Sequence, residues 1–382
     1  MALSETAPPA ERVRTDWVAV ADNLGPRFAA RADAHDADDA FVAINYAELR
    51  EQKVFSAGVP AELGGGGASQ AELCEMLRTL AHYCSSTALA LAMHTHQVAI
   101  PAWRWRHDDR VVEPLLRRVA GEELVLATSG GSDWLAGSGR AEKVEGGYRV
   151  SGRKVFASGS PAADLFMTMA VYDDPGAGPT VLHFAIPFKA AGVNVQDNWR
   201  TLGMRGTGSN DVVLDGVFVP DAAVSGRRPA GRWSPMWHVV AALALPLIYA
   251  VYVGVAEAAR AMALRAAAGR RHDAATQRLV GGMDTELATA RMALRQMLDA
   301  AATGHTGLET TNEAMIGRTV AGQAAIRTVE LAMEVAGGGG FFRDAGLERL
   351  FRDVQGARYH ALRTDAQHLY SGRLALGLDV NG

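Results

Sequence analysis

The chain has 382 residues, enough for two or three domains or one large one. Hydrophobic residues make up 48% and charged residues 21%, the balance of a folded protein and not of a disordered one. With 38 basic and 42 acidic side chains the formal net charge is −4, which argues against a chain built mainly to grip nucleic acid but leaves small anionic ligands open.

The opening MALSETAPPAERVRTDW has no apolar signal core, so a cytoplasmic protein is expected. Residues 1–120 read as a helical domain. TDWVAVADNLGPRFAARADAHD and AELCEMLRTLAHYCSSTALALAMHTHQVAI carry apolar residues at helix spacing, and Pro60 with Gly64–Gly67 marks a loop between them. Ser85–Ile100 is apolar nearly all round, which predicts a helix in the middle of the protein. Cys74 and Cys84 are the only cysteines, too few for a disulfide framework or a thiolate metal site.

Residues 121–230 change character. LVLATS, GGYRVSGRKVFAS, LFMTMAVY, TVLHFAIPF, VNVQDNW and DVVLDGVFVP are short, rich in Val, Phe, Leu and Thr, and separated by turn residues. They predict a β domain, barrel or sandwich. Residues 231–382 read as a helical bundle, with long periodic segments ending at the tetraglycine Gly337–Gly340 and a further helix from about Gly346. Within it Val239–Val255 nears the length of a short membrane span. Pro246 interrupts the run and small residues fill it, so a core helix and no membrane are expected. The fold class is α+β: helical domain, β domain, bundle. A ligand site is expected where they meet.

Five segments could carry chemistry, and each has a plain structural reading beside the functional one. Gly130-Gly131-Ser132-Asp133 follows a strand and could wrap a ring edge or phosphate, or simply turn. Lys154-Val155-Phe156-Ala157-Ser158 places an aromatic and a hydroxyl on one strand face. A flat ring could stack on Phe156 while Ser158 bonds its edge; alternatively Phe156 is core and Ser158 a turn. Thr201–Asp211 crowds glycines and polar residues before a strand, with Arg205 read as structural. His94 and His96 lie on an apolar helix, where imidazoles need hydrogen bonds and at most one can face a given pocket. No carboxylate nearby completes a metal set, so no metal is expected. Last, Gly337–Gly340 permits close backbone approach, Arg349, Arg352 and Asp353 read as surface ion pairs, and His360 follows an aromatic.

Together these segments resemble the acyl-CoA dehydrogenase superfamily over nearly the whole chain. NWRTLGMRGTGSNDVVLDGVFVP is similar to the family signature LGMRGTGSxDVxFDxVxVP. GGYRVSGRKVFASG is similar to YxxxGxKxWITNG, and GGGGFFRDAGLERLFRDV to GGxGYxxxxxxERxxRD. The resemblance implies a flavin, usually in a tetramer. It implies that Thr128 and Ser129 meet the pyrimidine ring and that Ser132 lies near the flavin. Phe156 would stand beside the isoalloxazine and Ser158 at N5. Gly338, Gly339 and Gly340 would meet the nucleotide end of a neighbouring subunit's flavin.

The departures point within the family. Acyl-CoA dehydrogenases need a carboxylate to take the α-proton. The family's YEG triplet is here Tyr359-His360-Ala361, and the alternative position on the first bundle helix aligns with Ala244. The RxxFGxP flavin-diphosphate clamp is replaced by AAAGRRHDAATQ, where Arg270 or Arg271 could substitute. Both departures resemble the two-component flavin monooxygenases of this fold. Those take reduced flavin from a separate reductase and protect a C4a-hydroperoxyflavin in a dry pocket. On that resemblance the expected function is monooxygenation with FAD or FMN, a small-molecule substrate and a homotetramer. His94, His360 and Ser158 would serve the chemistry. The alternatives are an acyl-CoA dehydrogenase with His360 as base, and a non-catalytic flavin- or acyl-binding protein.

Overall fold

The computed structural model describes residues 14–129 and 133–382. Five helices open the chain: α1 (Trp17–Ala37), α2 (Ala43–Glu51), α3 (Gln70–Tyr83), α4 (Ser85–Arg106) and α5 (Glu113–Glu122). Local chemistry sets their starts. Asp16 accepts from Val18 N–H and Ala19 N–H ahead of α1, and Ser69 with Glu72 forms a capping box at α3. The long apolar stretch predicted as continuous helix breaks at Cys84, whose backbone is extended (φ −150°, ψ 99°). That bend separates α3, which packs between α1 and α6, from the buried α4.

The strands are β1 (Leu126–Thr128), β2 (Arg140–Val144), β3 (Gly147–Ala157), β4 (Leu165–Asp174), β5 (Gly178–Pro187), β6 (Val193–Val195), β7 (Asn210–Pro220) and β8 (Val224–Pro229). They form one connected sheet in the order β6-β7-β3-β2-β4-β5-β8, with β1 added parallel to β4. The sequence pattern missed β2, whose charged residues lie on a solvated face, and β8, where Arg227 and Arg228 break the apolar pattern although Arg228 is buried. It also overran β6, because Gln196–Trp199 leaves the ladder and is held instead by side chains of the loop and β7.

The C-terminal region holds α6 (Pro235–Ala266), α7 (Ala274–Ala302), α8 (Leu308–Ala336), α9 (Leu347–Val354) and α10 (Thr364–Ala375). By length and composition α6 could cross a membrane, yet its most apolar window is wholly buried inside the protein. It packs against α8, α3, α4 and α7 and is the axis of the main core. Each large apolar side chain buried there contributes about 1.5–3 kcal/mol. One buried carboxylate ties this axis to its neighbours. Glu257 on α6 accepts from Arg78 and His82 of α3 and from Arg291 of α7. Burial alone would raise its pKa, but the His82 bond and the arginine charges outweigh it and hold the carboxyl at about 2.

Candidate functional site

A cavity of about 1380 Å³ opens where α4, the sheet, α6 and the α9 segment meet. The α4 lining is a helical stripe: Leu89, Met93, His96, Gln97, Ile100, Pro101 and Arg104. His94 lies off that stripe. Its Nδ1 accepts from Leu126 N–H at 3.0 Å and its Nε2 donates to the Phe55 carbonyl at 2.8 Å. The expectation that His94 serves the chemistry is therefore corrected. Both ring nitrogens are bonded to backbone, pinning β1 to the helical domain, and burial lowers the pKa to about 4. His96 reaches the cavity instead. Its Nδ1 donates to the Ala92 carbonyl and its Nε2 accepts from Gln97. The helical stripe through Met93 and Ile100 was the signal that distinguishes the two histidines.

The sheet supplies the second wall. Lys154 on β3 is buried and donates to Ser138 and to the Met169 carbonyl. Just beyond it the β3–β7 register shifts between Lys154 and Ala157. Phe156 at this bulge has φ +58°, an uncommon conformation for a bulky residue, and the residue is 49% exposed and lines the cavity. Trp199 meets that ring edge-on at 5.9 Å. Ser158 follows, its Oγ 2.7 Å from Ser209 Oγ, which is 2.7 Å from Thr207 Oγ1. Thr128 and Ser129 also line the cavity, with Ser129 bonded to Thr168. Ser132 lies outside the described residues.

The bundle supplies the third wall. Ala244, Leu245, Ile248 and Tyr252 of α6 face the cavity, and His360 closes it beyond α9. Tyr252 OH and His360 Nε2 are 2.6 Å apart. Burial raises the Tyr252 pKa, so that phenol keeps its proton. Burial first, then the positive charge of Arg318, lowers His360 to about 3, so it is neutral at ordinary pH. Arg318 donates to the His360 carbonyl and positions the residue. Tyr249, on the same helix, does not line the cavity and donates to the Ala357 carbonyl. Phe342 is exposed at the surface, and His238 bonds Thr311. Trp237 does line the cavity, stacked on Trp134 at 4.8 Å.

The α9 segment locks the sheet wall to the helices. Asp353, expected at the surface, is 2% exposed and accepts from Ser85 Oγ and Met204 N–H. The correction has a simple cause: a Cβ at Gly203 would lie 2.3 Å from the Arg352 backbone, so glycine lets the Met204 turn seat directly on α9. Arg352 pairs with Asp36 and Glu348, and Arg205 donates to the Thr201 carbonyl, a structural role.

The ionisable lining of the cavity is basic, although Arg104, Arg118 and Arg352 are paired with acidic residues behind the wall and burial keeps the histidines neutral. Five arginines (Arg104, Arg118, Arg227, Arg228, Arg352) and three histidines (His96, His183, His360) line it, and no Asp or Glu does among the described residues. A planar anionic cofactor fits these features: an exposed ring to stack on, hydroxyls at its edge and no carboxylate to repel it. Gly338–Gly340 do not line this cavity. They sit in a 3₁₀ turn after α8, where Arg270 donates to the Val335 carbonyl beside Gly337.

Comparison with known proteins agrees with this geometry. Residues 17–110, 128–217 and 242–361 match the N-terminal, middle and C-terminal domains of acyl-CoA dehydrogenase. A pigment production hydroxylase of Rhodococcus sp. is 28% identical over 96% of this chain and 98% of its own. An amino sugar nitrososynthase of Streptomyces rubradiris is 30% identical over 93% of this chain and 88% of its own. The crystal structure of KijD3 in complex with FMN and dTDP-3-amino-2,3,6-trideoxy-4-keto-3-methyl-D-glucose superposes with a TM-score of 0.88. It is 27% identical, with 97% of this chain and 95% of that chain covered.

Proposed function

The chain belongs to the acyl-CoA dehydrogenase family, and from that premise we propose that it is a flavin-dependent monooxygenase, not a dehydrogenase. The observation that carries this reading is the cavity lining without a carboxylate, with Ala244 and His360 at the two positions where dehydrogenation would need one. His360 is a poor replacement base. Accepting a proton would create a buried cation near Arg318, and burial and that charge together lower its pKa to about 3. The hydroxylase and nitrososynthase relatives support an oxidising enzyme.

Bound reduced flavin, FMN or FAD, would supply the electrons and the site of oxygen activation. Phe156 and Trp199 would hold its ring plane, and Ser158 would meet its N5 edge. Val240, Leu245 and Ile248 line the bundle side of the cavity and would keep water from the bound ring. With Tyr252 as donor to its Nε2, His360 carries its own proton on Nδ1, a neutral donor that can hold an oxygen atom or a substrate without adding charge. The substrate is a small molecule, apolar or aromatic over much of its surface, as the Trp134–Trp237 stack suggests. A separate reductase would deliver the reduced flavin. A homotetramer would bring Gly338–Gly340 and Arg270, flanked by the exposed Phe341 and Phe342, to a neighbour's cofactor.

The test is anaerobic rapid mixing of the protein with reduced FMN or FAD, followed by oxygen. An oxygen-dependent absorbance transient that far outlives that of free flavin is expected. Reoxidation at the free rate, together with protein that holds oxidised flavin and is bleached by acyl thioesters, would overturn the reading in favour of dehydrogenation.

A further inference from the structure

Behind the bundle wall lies a buried positive charge without a counter-charge. Arg318 on α8 is 2% exposed and pairs with no carboxylate among the described residues. Its guanidinium donates to the His360 carbonyl at 3.0 Å and reaches Thr364 Oγ1 at 3.5 Å. Its Nε has no partner, and its charge lies 5.4 Å from the centre of the Tyr249 ring. An unpaired guanidinium is costly to bury, and packing alone would be served by an apolar side chain.

His360 links this charge to the cavity, and its proton order is forced. The 2.6 Å contact between Tyr252 OH and His360 Nε2 needs one proton. Tyr252 is fully buried and its hydroxyl has no other acceptor among the described residues, so it donates to Nε2. The neutral ring then carries its proton on Nδ1, which no described residue accepts. His96, also on the lining, has no proton to offer, because its Nδ1 donates to the Ala92 carbonyl and its Nε2 accepts from Gln97. The other groups around the pair leave Arg318 uncompensated. Asp353 of α9 acts on Tyr252, but its two oxygens are taken by Ser85 Oγ and Met204 N–H. Burial keeps the proton on both Tyr249 and Tyr252 of α6. On the His360 segment itself, Arg358 bonds Gln355 and Arg363 pairs with Asp365 at the surface.

We infer that Arg318 makes the His360 end of the cavity a subsite for a single ionised oxygen, so that the substrate carries an acidic hydroxyl there, a phenol or enol, and binds as its anion. The inference rests on the reading of this cavity as the substrate site proposed above. One N–H donor suits an oxygen whose charge spreads into an apolar ring system. A carboxylate or phosphate would leave oxygens without donors among Ala244, Ile248 and Ala361. The anion arrives as the counter-charge that Arg318 lacks, and no proton has to move onto His360, whose protonation burial and Arg318 both oppose. An ammonium group in the same place would meet a like charge.

The probe is p-nitrophenol, which absorbs visible light only when ionised. It is titrated with acid and base in the presence of saturating flavin-free protein, with thermal unfolding as the check on folding. Bound to the parent protein it is expected to ionise about one pH unit or more below its value in free solution, a roughly tenfold or greater preference for the anion. Arg318→Met is expected to abolish that shift, and Arg318→Lys, which restores the charge, to keep most of it. His360→Ala removes the donor and is expected to lose the shift as well, which places the probe at Nδ1. A role of Arg318 limited to structure would weaken neutral and ionised probe together and leave the bound pKa unmoved, and that result overturns the inference. A parent protein that shows no shift, or no saturable binding of the probe, also overturns it, whether or not the Arg318 variants fold. No flavin takes part in this titration, so its failure leaves the flavin reading standing, to be decided by the oxygen-dependent transient.

Discussion

The sheet wall and the bundle wall of the cavity are made of different materials. The sheet wall offers an aromatic face at Phe156 and an ordered run of hydroxyls from Ser158 to Thr207. The bundle wall offers Ala244, Ile248, Tyr252 and a neutral histidine. In the proposed reading the first would hold the cofactor, and the second would decide what is done with it. The difference teaches that the two tasks sit on separate elements, so the dehydrogenase carboxylate can be absent from the bundle while the cradle on the sheet persists.

The largest expected effect comes from cutting the walls apart. Asp353 is the buried link between α9, Ser85 on α4 and the Met204 turn at the root of the hydroxyl chain. Asp353→Ala leaves Met204 N–H without an acceptor in a site closed to water. A loss of about 3 kcal/mol or more is expected, read as a lower denaturant midpoint at constant slope. Asp353→Asn keeps one acceptor oxygen and should lose less. Equal losses would show that the link is packing and not hydrogen bonding.

His360→Ala should break the bundle wall alone. A shortening of the oxygen-dependent flavin signal by roughly 10²-fold is expected, with reduced-flavin affinity close to that of the parent. Stopped-flow decay and equilibrium binding give the two numbers. If affinity falls in step with lifetime, the walls are not functionally separate.

The sheet wall was more legible in the sequence than the bundle wall, for a physical reason. Its glycines and hydroxyls stand in one continuous signature, Thr201–Asp211, which restricts the backbone locally. The bulge that turns Phe156 outward was not legible, because it is a shift in the register of β3 against β7, which no local pattern encodes. The bundle wall is assembled from residues 108 apart in the chain, Tyr252 and His360, whose pairing no local pattern encodes. Asp353 was misread as a surface charge because its helix carries Glu348, Arg349 and Arg352 beside it. Only the Gly203 contact shows which side faces inward. Choosing between His94 and His96 needed the complete lining stripe along α4.

Those two histidines give the next test. His94→Gln disturbs two backbone partners and should cost about 2 kcal/mol of stability, whereas His96→Gln should cost less and act on the cavity. Acid titration sharpens the contrast. His94, His96 and His183 are lowered by burial to about 4, and His360 to about 3, against 6.5 in an exposed histidine. Below pH 6.5 the unfolded chain takes up protons that the folded chain refuses. Stability is thus fully present above pH 6.5 and falls as pH drops toward 4 and 3. His94→Gln should remove one proton's worth of that slope. An unchanged slope would mean that His94 is protonated in the folded protein.

The smallest effect separates stacking from hydrogen bonding within the sheet wall. Phe156→Ala removes the ring that the bulge presents to the cavity but leaves the hydroxyl chain intact. Loss of an aromatic contact corresponds to roughly tenfold weaker flavin binding. Stacking does not depend on a proton at N5, so oxidised and reduced flavin should weaken by the same factor and the bound potential should stay put. If Phe156→Ala instead weakens one state more than the other, the ring and Ser158 act as one unit on the bulge that carries both.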